Sequence, residues 1–296
     1  MGGGSFNSCS GIYATVGGGH NNFSSSTATT VAGGLQNVAN IFYATVGGGT
    51  ENSSIGSHAT IGGGYQNTSG NESSTVGGGR YNMSSGLYST VGGGYTNTSS
   101  GQYATVPGGY GNIAGDYSFA AGLYAKATNQ GSFVWSDATG ADLFSTNNQS
   151  WTARASGGVR FFSNAGATAG VFLAPNGTSW AAISDRNAKK NFQPVDVQAV
   201  LEKLAQVPVT QWNYQWESDT EVPHLGPMAQ DFKGAFYPGR DDKSITTQEI
   251  DGVALAAIQG LNQKLEQRLE QKEAEITELK ARLETLERLM RNGGAK

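Results

Sequence analysis

Ser184 and Lys189 stand five residues apart in the stretch Ser184-Asp185-Arg186-Asn187-Ala188-Lys189-Lys190-Asn191-Phe192. A serine hydroxyl is a useful nucleophile only beside a base. A lysine serves as that base when partial burial lowers its pKa. On residue type and spacing alone, the same stretch reads as a polar turn ahead of a helix. His224, the only histidine in the C-terminal half, fits either an assisting group or a hydrogen-bonded structural residue. His20 and His58 lie far apart in sequence without acidic or thiol neighbours, so no metal site is expected. Cys9 is the only cysteine, which excludes an intrachain disulfide. Glycine runs such as Gly17-Gly18-Gly19 invite a phosphate-cradle reading, but none leads into a helix or is followed by the lysine such loops use. No cofactor is expected. Residues 1–130 hold only Glu51, Glu72 and Asp116 as acids, too widely spaced for a glycosidase pair.

These residues belong to a chain of two unlike parts. An asparagine recurs every fifteen residues at Asn7, Asn22, Asn37, Asn52, Asn67, Asn82, Asn97 and Asn112. Six residues before each stands an apolar side chain, from Met1 and Val16 to Val91 and Val106. A strict period over so many copies means stacked identical units. Each unit reads roughly Tyr-Ala-Thr-Val-Gly-Gly-Gly-x-x-Asn-x-x-Ser-Gly-x. The Ala-Thr-Val piece predicts a short strand with valine turned inward. The glycines permit positive φ and close approach of backbones. The asparagines would form a ladder by bonding backbone groups in a turn. Asn-x-Ser/Thr sequons occur at Asn22, Asn52, Asn67, Asn71, Asn82 and Asn97, mostly on the ladder position, so a structural role is expected over glycosylation. Met1 fills a valine slot, so the first repeat is entered midway and the rod is expected to extend upstream. Low apolar content, 37%, suggests that other copies of the chain complete the core.

The period and its motif resemble the head repeats of trimeric autotransporter adhesins. The resemblance covers about residues 1–125 and implies a left-handed parallel β-roll in which three chains pack side by side. Thr-Val-Gly stands here where that family usually has Ala-Ile-Gly. Pro107 replaces the first glycine of the last full copy, and Tyr117-Ser118-Phe119 arrives one residue early, so the array is expected to end there. Residues 126–183 lose the period and read as an irregular β connector. Its expected strands are Phe133–Trp135, Val159–Phe162 and Val171–Leu173, with hairpin turns at Gly157-Gly158 and Pro175-Asn176-Gly177. Its aromatics read as interchain core rather than ligand platform.

From Ser184 the composition becomes that of a mixed α/β domain. A short helix is expected with Val197, Val200, Leu201 and Leu204 on one face, ended by Pro208. A strand is expected from Val209 to Trp216, with Trp212, Tyr214 and Trp216 on one side. A long helix is expected from about Asp251 to Arg291. Ile276, Leu279, Leu283, Leu286 and Met290 alternate by three and four, a heptad seam. Ile258, Leu261 and Leu265 form an earlier seam, offset by a stutter at Leu265 and Leu269.

Three blocks in this part, taken together, resemble the C-terminal intramolecular chaperone of phage endosialidases and related tail spikes. They are the opening Ser-Asp-x-x-x-Lys, the Gly226-Pro227-Met228-Ala229-Gln230-Asp231 block, and Asp251-Gly252-Val253-Ala254-Leu255 running into the helix. The resemblance covers about residues 180–290. It implies a domain that drives three chains to fold and associate and then cuts itself off immediately before the serine. Carried over, the scissile bond is Ile183–Ser184, Ser184 is the nucleophile and Lys189 its base. Lys190 lies adjacent, and spacing favours Lys189. His224 matches a family histidine and is a possible assistant.

The expected architecture is therefore a mainly β solenoid over residues 1–125, a β connector over 126–183, a chaperone and autoprotease domain over 184–250, and a coiled-coil helix over 251–296, assembled as a homotrimer. The leading functional expectation is a trimeric fibre or spike with a self-cleaving chaperone and a cell-surface receptor or glycan as partner. The alternative is a structural or adhesive trimer whose C-terminal domain never cleaves. A net charge of −4 gives no nucleic-acid or anionic-membrane reading. No apolar run approaches the length of about 20 residues that spans a bilayer. The expected setting is extracellular or on a virion surface.

Overall fold

The computed structural model describes residues 2–293, so Met1 and residues 294–296 of the expected C-terminal segment lie outside the described residues. The chain forms two compact units that divide between Ser184 and Asp185.

The first unit is a solenoid of two parallel sheets, one of ten strands and one of eleven. One sheet stacks the Thr-Val pairs, with Thr75 opposite Thr90 and Val76 opposite Val91. The other stacks the pairs that follow each asparagine, with Met83 opposite Thr98. Every neighbour is fifteen residues away until Thr105 meets Phe119. Thr-Val alternation sends each valine inward. Val16, Val31, Val46, Ile61, Val76, Val91 and Val106 are all fully buried. That column is closed within a single chain, contrary to the expectation that other copies complete it. The inner faces are lined by small residues such as Ala39, Ser54 and Ser69, so the two sheets approach closely enough for one valine per turn to fill the space.

The first and third positions of each run pack tightly on the next turn, although Ala32 and Pro107 occupy the first and, of the two, only the third is glycine in every copy. A Cβ on Gly77 would lie 2.4 Å from the Gly92 carbonyl oxygen, and one on Gly79 2.2 Å from that of Gly94. The third glycine also takes positive φ, +84° at Gly79. Other corners of each turn are left-handed without glycine: Tyr43, Tyr88 and Tyr103 have φ of 61°, 55° and 55°. Such a conformation costs about 1 kcal/mol or more per residue. Ring stacking between successive corners offsets part of it, with Tyr88 and Tyr103 centroids 5.2 Å apart.

The parallel stack does not stop near residue 125. Phe119–Leu123, Phe133–Ser136 and Trp151–Arg154 continue one sheet, and Ala125–Ala127 and Leu143–Phe144 the other. The spacing changes because a parallel ladder fixes the strands and not the length of the loops between them. Gly157-Gly158 consequently turns the chain out of the stack and joins no paired strands. Residues 155–183 then build a separate antiparallel sheet from Val159–Phe162, Gly170–Leu173 and Ala181–Ala182. The turn at Pro175-Asn176 links its last two strands, as expected.

The second unit is a small α/β region followed by a long helix. Helix α1 (Val197–Leu204) is capped by Asp196, whose carboxylate accepts from the Gln198 and Ala199 N–H groups. The strand expected over 209–216 is shorter, Thr210–Trp212, and pairs with His224–Gly226. Helix α2 (Ala229–Phe236) follows and buries Phe232. Helix α3 runs over Thr247–Gly293. Helix α1 packs on α3 at Gly260, where a Cβ would meet the Val197 carbonyl oxygen at 2.2 Å.

Candidate functional site

The Asn ladder is continuous. The Asn67 Nδ2 group donates to the carbonyls of Gly63 and Gly79 at 3.0 and 2.9 Å, and to Asn52 Oδ1 at 3.1 Å. Asn67 Oδ1 accepts the Asn82 backbone N–H at 2.9 Å. The ladder side chains at Asn22, Asn52, Asn67, Asn82 and Asn97 are buried. A glycan cannot be attached to a buried, fully bonded amide, so five of the six sequons noted above are structural. Asn71 alone of the six is exposed.

Ile183 and Ser184 leave the edge of the antiparallel sheet. The Ile183 N–H donates to the Gly170 carbonyl at 3.4 Å. Ser184 follows without regular structure and is exposed. Asp185 then caps a short 3-10 turn, Arg186–Ala188, by accepting the Asn187 N–H at 3.0 Å. Lys189 ends that turn, its N–H donating to the Arg186 carbonyl at 3.1 Å. The expected polar turn is therefore present, and it is a single tight turn with Ser184 before it and Lys189 after it. Both side chains reach solvent in this chain.

His224 has a different setting. It stacks on Trp212 with centroids 4.7 Å apart and meets Tyr214 edge-on at 5.5 Å. Its Nε2 lies 3.0 Å from Glu217 Oε1. Glu217 also accepts the Tyr214 N–H at 2.8 Å. The His224 bond, and then the Tyr214 N–H, hold the Glu217 carboxyl below its ordinary pKa. A histidine braced by a carboxylate has a fixed ring orientation. Glu217 was not singled out in the sequence, because only the turn between the paired strands brings it to His224.

A second ionic group lies where α2 meets the start of α3. Lys233 on α2 is buried and its Nζ lies 2.6 Å from Glu249 Oε2 at the start of α3. Arg240 approaches the other oxygen at 3.2 Å. Glu249 and Thr246 form a reciprocal cap, with Thr246 N–H to Glu249 at 3.1 Å and Glu249 N–H to Thr246 Oγ1 at 3.2 Å. The Thr-x-x-Glu spacing signals such a capping box directly. The Lys233 bond and then the Thr246 N–H push the Glu249 carboxyl down from 4.5 to about 2. Among the described residues no group of histidine, cysteine and acidic side chains is arranged to hold a metal ion.

Residues 184–238 match the family model described as chaperone of endosialidase. The match begins at Ser184 and covers the 3-10 turn, α1, the strand pair carrying His224, and α2. No curated protein matches the chain.

Proposed function

We propose that this chain is a trimeric fibre or spike protein whose C-terminal part directs folding and association, and then cuts the chain between Ile183 and Ser184. The observation that carries this reading is a coincidence of boundaries. The chaperone match starts at Ser184, and the chain divides into compact units beside the same residue. A cut there separates a finished β structure from the module that assembled it.

The chemistry assigned to the site is a single turnover. Ser184 Oγ attacks the Ile183 carbonyl carbon while Lys189 takes the hydroxyl proton. The Ile183–Ser184 C–N bond breaks, the proton passes to the departing nitrogen, and an ester joins Ile183 to Ser184 Oγ. Water then hydrolyses the ester, leaving an Ile183 carboxylate and a free Ser184 amine. Because attacker and target are neighbours in one chain, placement replaces several kcal/mol of barrier. Lys189 is exposed in the single chain, so partial burial on assembly would bring it toward the neutral form a base needs. Cleavage would then follow trimerisation. The setting is a virion or other outer surface, with a receptor or glycan as the rod's partner. No helix among the described residues is long and apolar enough to cross a membrane.

The intact mass of freshly purified protein tests this. Wild-type chain should resolve into residues 1–183 and 184–296, and Ser184→Ala should stay whole. Scission of Ser184→Ala at the same bond would remove Ser184 as the nucleophile. The exposure of Ser184 and Lys189 also suits a second reading, a chaperone that associates and never cleaves. That reading requires wild-type chain to stay whole after assembly.

A further inference from the structure

From Ala174 to Asp196 every residue is exposed except Ile183. One side chain is therefore held down in an otherwise solvent-facing run, and it is the residue on the amino side of the proposed cut. The holding is done by the antiparallel sheet of the first unit. Arg160, Phe172 and Ala181 lie opposite one another across its three strands. Phe162 lies opposite Gly170, and the Ile183 N–H bond to Gly170 extends that row. Opposed residues share a face, so Ile183 lies on the face that carries Arg160, Phe162 and Phe172. On that face Gly170 has no side chain between Phe162 and Ile183. The result is a cavity of about 250 Å³ lined by Arg160, Phe162, Gly170, Val171, Phe172 and Ile183.

We propose that this slot is the fibre-side half of the cleavage site, in which Ile183 anchors the scissile carbonyl and Arg160 receives the carboxylate that cleavage creates. The inference rests on the reading of Ile183–Ser184 as the cut bond. An edge strand of two residues frays unless something beyond its hydrogen bonds pins it. The Ile183 side chain in an apolar slot supplies that pin, immediately before the reacting carbon. Intramolecular attack depends steeply on such placement, and a displacement of about 1 Å costs on the order of 100-fold in rate. Arg160 is a positioning residue for the product. Its guanidinium makes no hydrogen bond or ion pair with any described residue and sits at an otherwise apolar slot. Hydrolysis turns a neutral amide into an anion at that place, and a guanidinium takes a carboxylate in a bidentate pair. The pairing of Ala181 and Ala182 lies upstream of the cut, so the new terminus stays docked.

The test uses the full chain with Ile183→Val, Ile183→Thr, Arg160→Lys and Arg160→Met. Valine and threonine have nearly the same shape, and both favour strands, so their comparison isolates the apolar slot from folding. The rate of loss of full-length mass should be near wild type for Ile183→Val and about tenfold slower for Ile183→Thr, with the far-ultraviolet spectrum unchanged in both. For Arg160 the readout is trimming of the new terminus by a carboxypeptidase. Ile183 should be removed about tenfold faster from cleaved Arg160→Met than from wild type, with Arg160→Lys between them. Equal cleavage rates for the valine and threonine chains overturn the anchor. Equal trimming of Arg160→Met and wild type overturns the role of Arg160. A wild-type chain that is never cut at 183 removes the underlying reading as well, and is told apart because no variant is then needed to see it.

Discussion

Asn67 shows how much of the rod rests on single residues. Its side chain serves a neighbour on each side and two carbonyls at once. Truncation to alanine leaves the buried Asn82 N–H without its acceptor and the Gly63 carbonyl without its donor. A buried polar group stripped of its partner costs about 1–3 kcal/mol, so Asn67→Ala should destabilise the solenoid by about 3 kcal/mol. Stability in a solenoid is nearly a sum over neighbouring turns, so hydrogen exchange should quicken first at the turns beside residue 67. Asn71→Ala, at an exposed sequon whose side chain donates to the Ser85 carbonyl at 3.2 Å and accepts the Glu72 N–H at 2.8 Å, both where water can replace them, should change unfolding by less than about 0.5 kcal/mol. Equal effects at the two positions would contradict the ladder as a source of stability. At Glu249 the pH dependence has a definite sign. Its folded pKa is depressed from 4.5 to about 2. The Lys233–Glu249 pair therefore contributes above the ordinary value and is lost as pH falls from about 4.5 toward 2. Acidification through that window should loosen α2 from the start of α3, read by hydrogen exchange at Phe232. Glu249→Gln should remove that part of the pH response. A response unchanged in Glu249→Gln would assign it to another carboxylate.

At the scale of elements, legibility in the sequence followed one condition. A feature was readable where its period coincided with one repeated residue type. Thr-Val strands, the Asn ladder and the heptads of α3 meet it. The continuation of the solenoid past residue 125 does not. Phe119 pairs with Phe133, and Phe133 with Trp151, at spacings that no longer match. Strand pairing tolerates loops of any length, so a lost period does not mean a lost stack. Helix α2 escaped for a different reason. It has eight residues, and Met228 at its N-cap makes no side-chain cap, so no start signal marks it. Helix α3 starts at Thr247, four residues ahead of the expected Asp251, because the Thr246–Glu249 box and not the heptad period sets its first turn. At the candidate site, Ser184, Lys189 and His224 are expectations that rest on resemblance to known blocks. Glu217 carries no such mark, because it meets His224 only through the turn between the paired strands. Arg154 belongs with Glu217. Its guanidinium bonds Asp137, Ser136 and the carbonyls of Thr139 and Ala141, and closes the loop between the last two long strands of the stack.

At the scale of the whole molecule, the two units differ in what they leave unfinished. The solenoid buries its valine column within one chain. The second unit buries Phe232, Val253 and Ala257 but leaves many larger apolar side chains exposed. Trp216, Val222 and Leu225 are 79%, 89% and 72% exposed, and on α3 Ile276, Leu279, Leu283, Leu286 and Met290 are all exposed. A helix of 47 residues with such a stripe is stable in water only when the stripe is covered. In the proposed trimer, covering the α3 stripe would supply a drive to associate from the module proposed to leave. Burying one leucine contributes about 1.5–3 kcal/mol, and a trimer seam along α3 would repeat this over several heptads in every chain. Replacing Leu279 and Leu283 together with lysine would bring like charges into that seam. In the Ser184→Ala background, where the chain stays whole, the double variant should sediment as a monomer while the parent sediments as a trimer. The same double change in the wild-type background should abolish cleavage if Lys189 acts only after assembly. A flank control is available in Lys272→Gln, which breaks an exposed pair with Glu275 worth a few tenths of a kcal/mol and should leave the trimer intact. A double variant that still forms a trimer would place the seam elsewhere, on the exposed aromatic and aliphatic surface around Trp216 and Leu225.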